Sequence, residues 1–275
     1  MITIEPLGGL GNRMRVVDAA CTLHERTGRA VQVVWVRNAA LHCRFDALFQ
    51  PLAEVRVVER GRVVNAALRE LRTRAGLHDR VLRQRDVESL LPPGSDFSEL
   101  CRLRSPLLMT VSRFCTAANP LQRFRPVARL ERRIADLGRL FTPHTVGLHL
   151  RRGDHVFQAR SPSEAFLRAM ADELRSEPRT TFFVATDAPE DEERLRRAFG
   201  DRVLSQAGKA LDRRRPEAIE AAVVDLYGLA RTRKVIGSFW SSFSEAASAI
   251  GRIPLEVIDT GCANPLEAAV GARAR

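Results

Sequence analysis

The chain has 275 residues, of which 45% are hydrophobic, and carries a formal net charge of +11. That length and apolar content suffice for one large core or two modest ones and exclude a disordered or fibrous chain, and no apolar run approaches the roughly 20 residues that span a bilayer. The positive charge raises a nucleic-acid reading, but Lys209 and Lys234 are the only lysines, aromatics make up 6% and no nucleic-acid module is recognisable, so an acidic small ligand is the better expectation and much of the arginine is read as coding bias.

The N-terminus enters a strand-like segment at Ile2 with neither basic leader nor signal-peptide core, so a cytoplasmic location is expected. "MITIEPL" alternates as a strand, "NRMRVVDAACTLHERTG" reads as a helix closing at Gly28, and "AVQVVWV" is a near-continuous apolar run suited to a parallel strand covered on both faces. From Arg60 to Arg104 the chain is Arg-rich and mostly helical in pattern, ending in the loop "LPPGSDFSE". A strand "LLMTVSRF" follows, then a helix "PVARLERRIADLGRLF" with Pro126 at its first position. The second half alternates strand and helix throughout: "TVGLHL", a helix after Pro162, "TTFFVAT", a helix after Pro189, "RVLS", "PEAIEAAVVDLYGLART", "KVIGS", "SSFSEAASAIG" and "PLEVI". Such βα repetition predicts a doubly wound parallel sheet with ligands at the carboxyl ends of its strands. The tail from Gly261 reads as a short helix or frayed end. Cys21, Cys43, Cys101, Cys115 and Cys262 have no paired or metal-ligand spacing and are expected to be free thiols.

Three stretches carry chemistry. In "GLHLRRGDH" Arg151 and Arg152 follow a buried-type strand, where guanidinium groups suit a phosphate through parallel charge-assisted bonds; surface ion pairing is the bland alternative. In "FFVATDAPEDEERL" Asp187 stands at a strand tip, as a ligand group or an N-cap, while Glu190, Asp191 and Glu192 suit the positive end of a helix. In "AIEAAVVDLYGLARTRKVIGSFWSSFSEAA" Asp225 flanks an apolar stripe of Ile219, Val223, Leu226 and Ala230, and needs either an arginine or a ligand hydroxyl as partner. Ser241 and Ser242 stand at a helix mouth suited to an anion, although Ser242 and Glu245 also spell a capping box.

No P-loop, H-E-x-x-H, G-x-S-x-G or D-x-D signature is present. The opening "GGLGNRM" also departs from the dinucleotide fingerprint. After Gly9 and Gly11 it carries Met14 where a third small residue belongs, and the second strand ends in Arg37 instead of an acid.

Taken in order, "GGLGNRM", "HLRRGD", "VATD" and "DLYGLARTRKVIGSFWSSFSEAA" resemble the fucosyltransferase superfamily of α-1,2-, α-1,6-, nodulation and protein O-fucosyltransferases. The resemblance covers the extreme N-terminus and most of residues 145–250, leaving about 60–143 unmatched. It implies an α/β fold of GT-B type, with two Rossmann-like domains whose parallel sheets face a central cleft: an acceptor-side domain over 1–142, a sugar-nucleotide domain over 143–260 and a tail over 261–275. It further implies an inverting, metal-independent transfer of fucose, or a related sugar, from a GDP-sugar to a hydroxyl of a small-molecule or glycan acceptor, with no cofactor. By this resemblance Arg151 grips the donor pyrophosphate, with Arg152 and His149 beside it. Asp187 and Asp225 lie on the nucleoside side, Ser238, Ser241 and Ser242 contact phosphate, and Gly9, Gly11 and Asn12 form a loop that closes over the donor sugar.

The chain departs from that pattern in three ways. Ala159 stands where the α-1,6 enzymes have a glutamate, and Ala188 replaces a second acid after Asp187. The general base is therefore open among His155, Asp154 and Glu164, with His155 titrating in the useful range. The modest length also leaves little room for acceptor-binding insertions. Two other readings stay open: an NADP-dependent oxidoreductase using Arg37, and a non-catalytic protein that binds a sugar nucleotide or nucleic acid.

Overall fold

A computed structural model describes residues 1–92, 94–153 and 156–261. It divides into two units, Met1–Ala128 with Asp212–Glu220, and Arg129–Leu211 with Ala221–Arg275. Each is built on a five-stranded parallel sheet.

In the first unit β1 (Ile2–Pro6) leads through glycines into α1 (Leu10–Thr27), which ends at Gly28 ahead of β2 (Val31–Arg37). β2 is almost wholly buried, as its near-continuous apolar run requires of a sheet covered on two faces, and β1 is buried throughout as well, Thr3 and Glu5 included, although its alternating pattern resembles that of a strand with one polar face. The sequence pattern missed β3 (Arg56–Gly61), most of which precedes the Arg-rich stretch and has no assignment there, and β4 (Val81–Leu82), which lies inside that stretch and is too short to show a period. With β5 (Leu107–Thr110) the order is β3-β2-β1-β5-β4. The Arg-rich segment forms α2 (Arg62–Arg74), α3 (Gln84–Leu90) and α4 (Ser98–Arg102). Trp35, Phe45, Phe49 and Phe124 form a chain of ring contacts at 5.3–5.6 Å.

In the second unit α5 (Ala128–Gly138) starts two residues beyond Pro126, which instead bridges to Phe49 in the first unit, so the proline stops an extended segment and does not open the helix. There follow β6 (Thr145–Leu150), α6 (Ser163–Ser176), β7 (Thr181–Thr186), α7 (Pro189–Phe199), β8 (Val203–Leu204), α8 (Pro216–Leu229), β9 (Val235–Ser238), α9 (Ser242–Gly251) and β10 (Leu255–Ile258), in the sheet order β10-β9-β6-β7-β8. Alternation along β6 sorts its two faces. Val146, Leu148 and Leu150 join Phe166, Met170, Phe182, Val184 and Leu195 in one core, each buried large side chain contributing about 1.5–3 kcal/mol. Gly147 and His149 point the other way, toward residues of and around α8 and α9.

Among the described residues no helix is long and apolar enough to cross a membrane. Cys21, Cys43, Cys101 and Cys115 are free thiols, and Cys262 lies outside the described residues.

The first unit holds a charge deep on α1. Asp18 is fully buried and accepts from Arg123 Nε at 2.9 Å, while Arg123 Nη1 reaches Glu54 at 2.5 Å and Glu25 at 3.0 Å. Burial raises the Asp18 pKa against the lowering effect of Arg123. Arg123→Ala should therefore cost about 3–5 kcal/mol of unfolding free energy, because it strands a buried carboxylate. The deficit should shrink as pH falls through the raised pKa of Asp18, since the folded state then takes up a proton that the unfolded state does not. Denaturant melts of Arg123→Ala and of Asp18→Asn/Arg123→Ala across pH check this; equal deficits at every pH, or no relief in the double variant, would contradict it.

Candidate active site

In the second sheet the chain runs outward from β6 to β7 and β8, then returns to the other side of β6 for β9 and β10. The reversal makes a topological switch point between β6 and β9, where open α/β sheets leave a crevice beyond the carboxyl ends of the strands. The pairing Gly147↔Val235, Leu148↔Ile236, His149↔Gly237 brings both strands to their carboxyl ends together. On the other side Leu150 pairs with Thr186, the last residue of β7. Residues from "HLRRG", "ATD" and "GSFWSSFS", remote in sequence, are thereby gathered on one edge.

Ser238 joins two of these stretches. Its Oγ accepts the Arg151 backbone N–H at 2.9 Å and lies 3.3 Å from the His149 carbonyl. The Arg151 guanidinium ion-pairs with Asp187, and Asp187 also accepts the Arg152 backbone N–H at 2.8 Å. Gly153 follows with φ +52, a left-handed conformation that favours glycine, and a Cβ there would lie 3.0 Å from Asp187 Oδ2, a tight approach.

His149 is buried, stacks on Phe243 at 4.7 Å and sets Nδ1 2.7 Å from Ser244 Oγ and 3.3 Å from Ser241 Oγ. This close approach of α9 depends on Gly237, where a Cβ would sit 2.3 Å from Ser244 Oγ. Ser241 is the N-cap of α9 but makes no side-chain cap hydrogen bond. Its hydroxyl faces His149, so the expected Ser242–Glu245 capping box is not the arrangement found. The helix mouth, with its dipole, keeps the character of an anion site.

Arg152 differs from Arg151. Its Nε donates to Asp191 at 2.6 Å, Nη1 to the Ser161 carbonyl at 2.8 Å and Nη2 to Ser163 Oγ at 3.1 Å, with the guanidinium 5.9 Å above Phe166. These bonds tie the end of β6 to α6 and α7 from within the protein. Asp191 is thus a brace for Arg152 in addition to any role at the helix dipole.

Asp225 is buried and pairs with Lys209 Nζ at 3.2 Å, while Gln206 Nε2 donates to it at 3.1 Å. Burial raises its pKa, and Lys209 opposes that rise. Sequence reading asked whether its partner was an arginine or a ligand; the partner is one of the two lysines, brought in from the loop after β8.

Of the proposed bases, Asp154 and His155 lie outside the described residues. Glu164 is exposed on the first turn of α6 and pairs with Arg194 at 2.7 Å; a backbone hydrogen bond and then Arg194 hold it below the usual carboxylate range, which weakens it as a base. Ala159 lies in a 3-10 turn, and Ala188 is the N-cap of α7. Among the described residues no three His, Cys, Asp or Glu side chains gather as a metal site.

Gly9, Gly11 and Asn12 lie in the first unit but do not form a loop as expected: Gly9 is the N-cap of α1, and Gly11 and Asn12 lie in its first turn, which holds no acid. Sequence reading overlooked Arg13. It is fully buried, donates to the Gly8 carbonyl at 2.8 Å, the Val36 carbonyl at 2.6 Å and Asn38 Oδ1 at 2.9 Å, and lies 5.1 Å from the Trp35 ring centroid. The signal was available, since Arg13, Val16, Val17 and Ala20 fall on one buried helix face. Arg13 and Asn38 knit the end of β2 to the β1–α1 turn, where a dinucleotide fold would place its ribose acid, and this weighs against the oxidoreductase reading.

No protein-family model and no curated protein sequence matches the chain. Solved structures do. NodZ α-1,6-fucosyltransferase soaked with GDP-fucose is 19% identical, with a TM-score of 0.62 over 90% of this chain and 92% of that one. A mutant of Arabidopsis thaliana FUT1 in complex with GDP is 12% identical, with a TM-score of 0.61 over 93% and 69%. POFUT1 in complex with GDP-fucose is 12% identical, with a TM-score of 0.58 over 94% and 97%. The chain therefore has the GT-B-like α/β fold of these fucosyltransferases, the fold its motifs implied.

Proposed function

We propose that the chain is an inverting, metal-independent glycosyltransferase that moves fucose, or a related sugar, from a GDP-sugar to an acceptor hydroxyl. The observation that carries this reading is the convergence of Arg151, Ser238, Ser241 and the mouth of α9 at the β6/β9 switch point, in a fold shared with proteins solved with GDP and GDP-fucose.

In the reaction, the bond between the anomeric carbon and the diphosphate oxygen breaks as the acceptor oxygen bonds to that carbon from the opposite face. The acceptor proton passes to a base or to solvent, and GDP departs. Negative charge grows on the departing diphosphate, so preorganised donors aimed at it favour the transition state over the ground state. In the proposed assignment the Arg151 guanidinium and the α9 backbone N–H groups supply that stabilisation, with Ser241 and Ser242 beside them. Asp187 aims Arg151, Arg152 braces the turn, and His149 holds α9 through Ser241 and Ser244. Asp225, with Lys209 and Gln206, is assigned to the nucleoside side. Gly9, Gly11 and Asn12 are assigned to the sugar and acceptor end.

A thermal-shift and hydrolysis panel of GDP-, UDP- and dTDP-sugars should select the GDP compounds, and Arg151→Ala should lower turnover about 10²–10³-fold, roughly 3–4 kcal/mol. Preference for a UDP-sugar, or an Arg151→Ala enzyme as active as the parent, would overturn the proposal. Gly237→Ala should weaken GDP binding by displacing α9 from His149 while leaving a cooperative melt; titration calorimetry showing unchanged affinity would refute that coupling.

A further inference from the structure

Between β9 and α9 the chain passes through Phe239 and Trp240 before Ser241. Trp240 has φ +55, in the left-handed region that bulky residues avoid, and its side chain is 71% exposed. Among the described residues it is the only exposed aromatic side chain. It does not stand alone. Its ring centroid lies 5.7 Å from that of Phe157 and 6.0 Å from that of Phe239, and those two rings meet edge to face at 5.7 Å.

The support beneath this cluster is fixed. The Arg160 guanidinium lies 3.8 Å from the Phe239 ring centroid and is gripped by both carboxylate oxygens of Asp259, at 2.8 and 2.5 Å. The Phe239 backbone N–H donates to the buried Ser161 hydroxyl at 2.8 Å. The cation below is thereby neutralised within the protein.

The position is informative as well. Trp240 immediately precedes the N-cap of α9 and so stands beside the mouth assigned above to the donor diphosphate, on the β9–β10 side of the sheet. Asp225, Lys209 and Gln206, assigned to the nucleoside, gather beside the loop after β8, at the opposite end of the strand order. Trp240 thus follows β9, next to the phosphate end, while Gln206 and Lys209 follow β8, three places along the strand order.

An uncharged, braced, outward-facing indole suits the apolar C–H face of a pyranose ring, whose hydroxyls point to the rim and stay in water. We infer that Trp240, braced by Phe157 and Phe239, is a stacking platform for a pyranose ring of the acceptor. This rests on the glycosyltransferase reading above and adds to it a residue that determines acceptor specificity.

The test is saturation-transfer NMR and titration of the GDP-saturated protein with lactose, cellobiose, N-acetyllactosamine and di-N-acetylchitobiose, for the parent, Trp240→Ala and Trp240→Phe. At least one sugar should receive saturation at ring C–H protons. Its affinity should fall about tenfold in Trp240→Ala and largely recover in Trp240→Phe, with the GDP thermal shift the same in all three. If GDP binds but none of these sugars does, or if a sugar binds Trp240→Ala as tightly as the parent, the platform is refuted while the donor reading stands. Loss of the GDP shift in Trp240→Ala alone would assign the ring to the nucleotide, and a dimer that Trp240→Ala dissociates would assign it to a second copy; either outcome overturns the inference. Failure of the parent to bind GDP would instead remove the reading on which the inference depends.

Discussion

The parallel register of β6 against β9 is the constraint from which the rest of the second unit's chemistry follows. Because His149 pairs with Gly237, the next residues of the two strands emerge together, and the Ser238 hydroxyl meets the Arg151 backbone N–H. A side chain at position 237 would occupy the space of Ser244, so the same pairing also lets α9 seat its first turn against the imidazole of His149. On the other flank β7 delivers Asp187 to the guanidinium of Arg151 and the backbone of Arg152. One strand alignment thus sets an arginine, a carboxylate, two hydroxyls and a helix mouth at a single edge, and parallel strands reverse their order there.

The two adjacent arginines show how position divides labour between identical side chains. Arg152 is bonded to Asp191, Ser161 and Ser163 and serves as a brace. Arg151 meets a carboxylate at the strand edge, a pairing that the diphosphate of the proposed function would share or replace, because two phosphate oxygens can accept the parallel N–H pair of a guanidinium as a carboxylate does. Arg13 and Arg123 take the internal role further: one holds together the ends of β1 and β2, and the other neutralises the buried Asp18. These commitments account for part of the strongly basic composition without a polyanionic partner, alongside the coding bias inferred from the scarcity of lysine.

The strands that build the site were legible because they are central in a parallel sheet. "TTFFVAT" and "KVIGS" carry apolar runs ended by polar residues, "TVGLHL" is apolar but for Thr145 and His149, and the structure begins and ends all three within a residue of that reading. The edge strands of the first sheet were not legible, since β3 carries Arg and Glu because it is only half buried and β4 is two residues long, whereas those of the second, β8 and β10, were read as "RVLS" and "PLEVI" from their place in the strand–helix alternation. Residue types at the site could be named from the motifs, but partners could not. Nothing in "RRG" distinguishes the arginine that is braced from the one at the edge, and nothing near Asp225 in the chain points to Lys209. Likewise Ser242 and Glu245 have capping-box spacing, yet the helix begins one residue earlier and its cap hydroxyl turns to His149, a choice set by packing between distant segments.

In the proposed function a diphosphate sits at the β6/β9 switch point against the mouth of α9. Hydrogen exchange of the backbone amides, with and without saturating GDP, reads that position directly. A diphosphate bound there should bring new protection concentrated at residues 151–153 and 241–244. Protection confined to the Gly8–Asn12 turn of the first unit, or none at the start of α9, would contradict it.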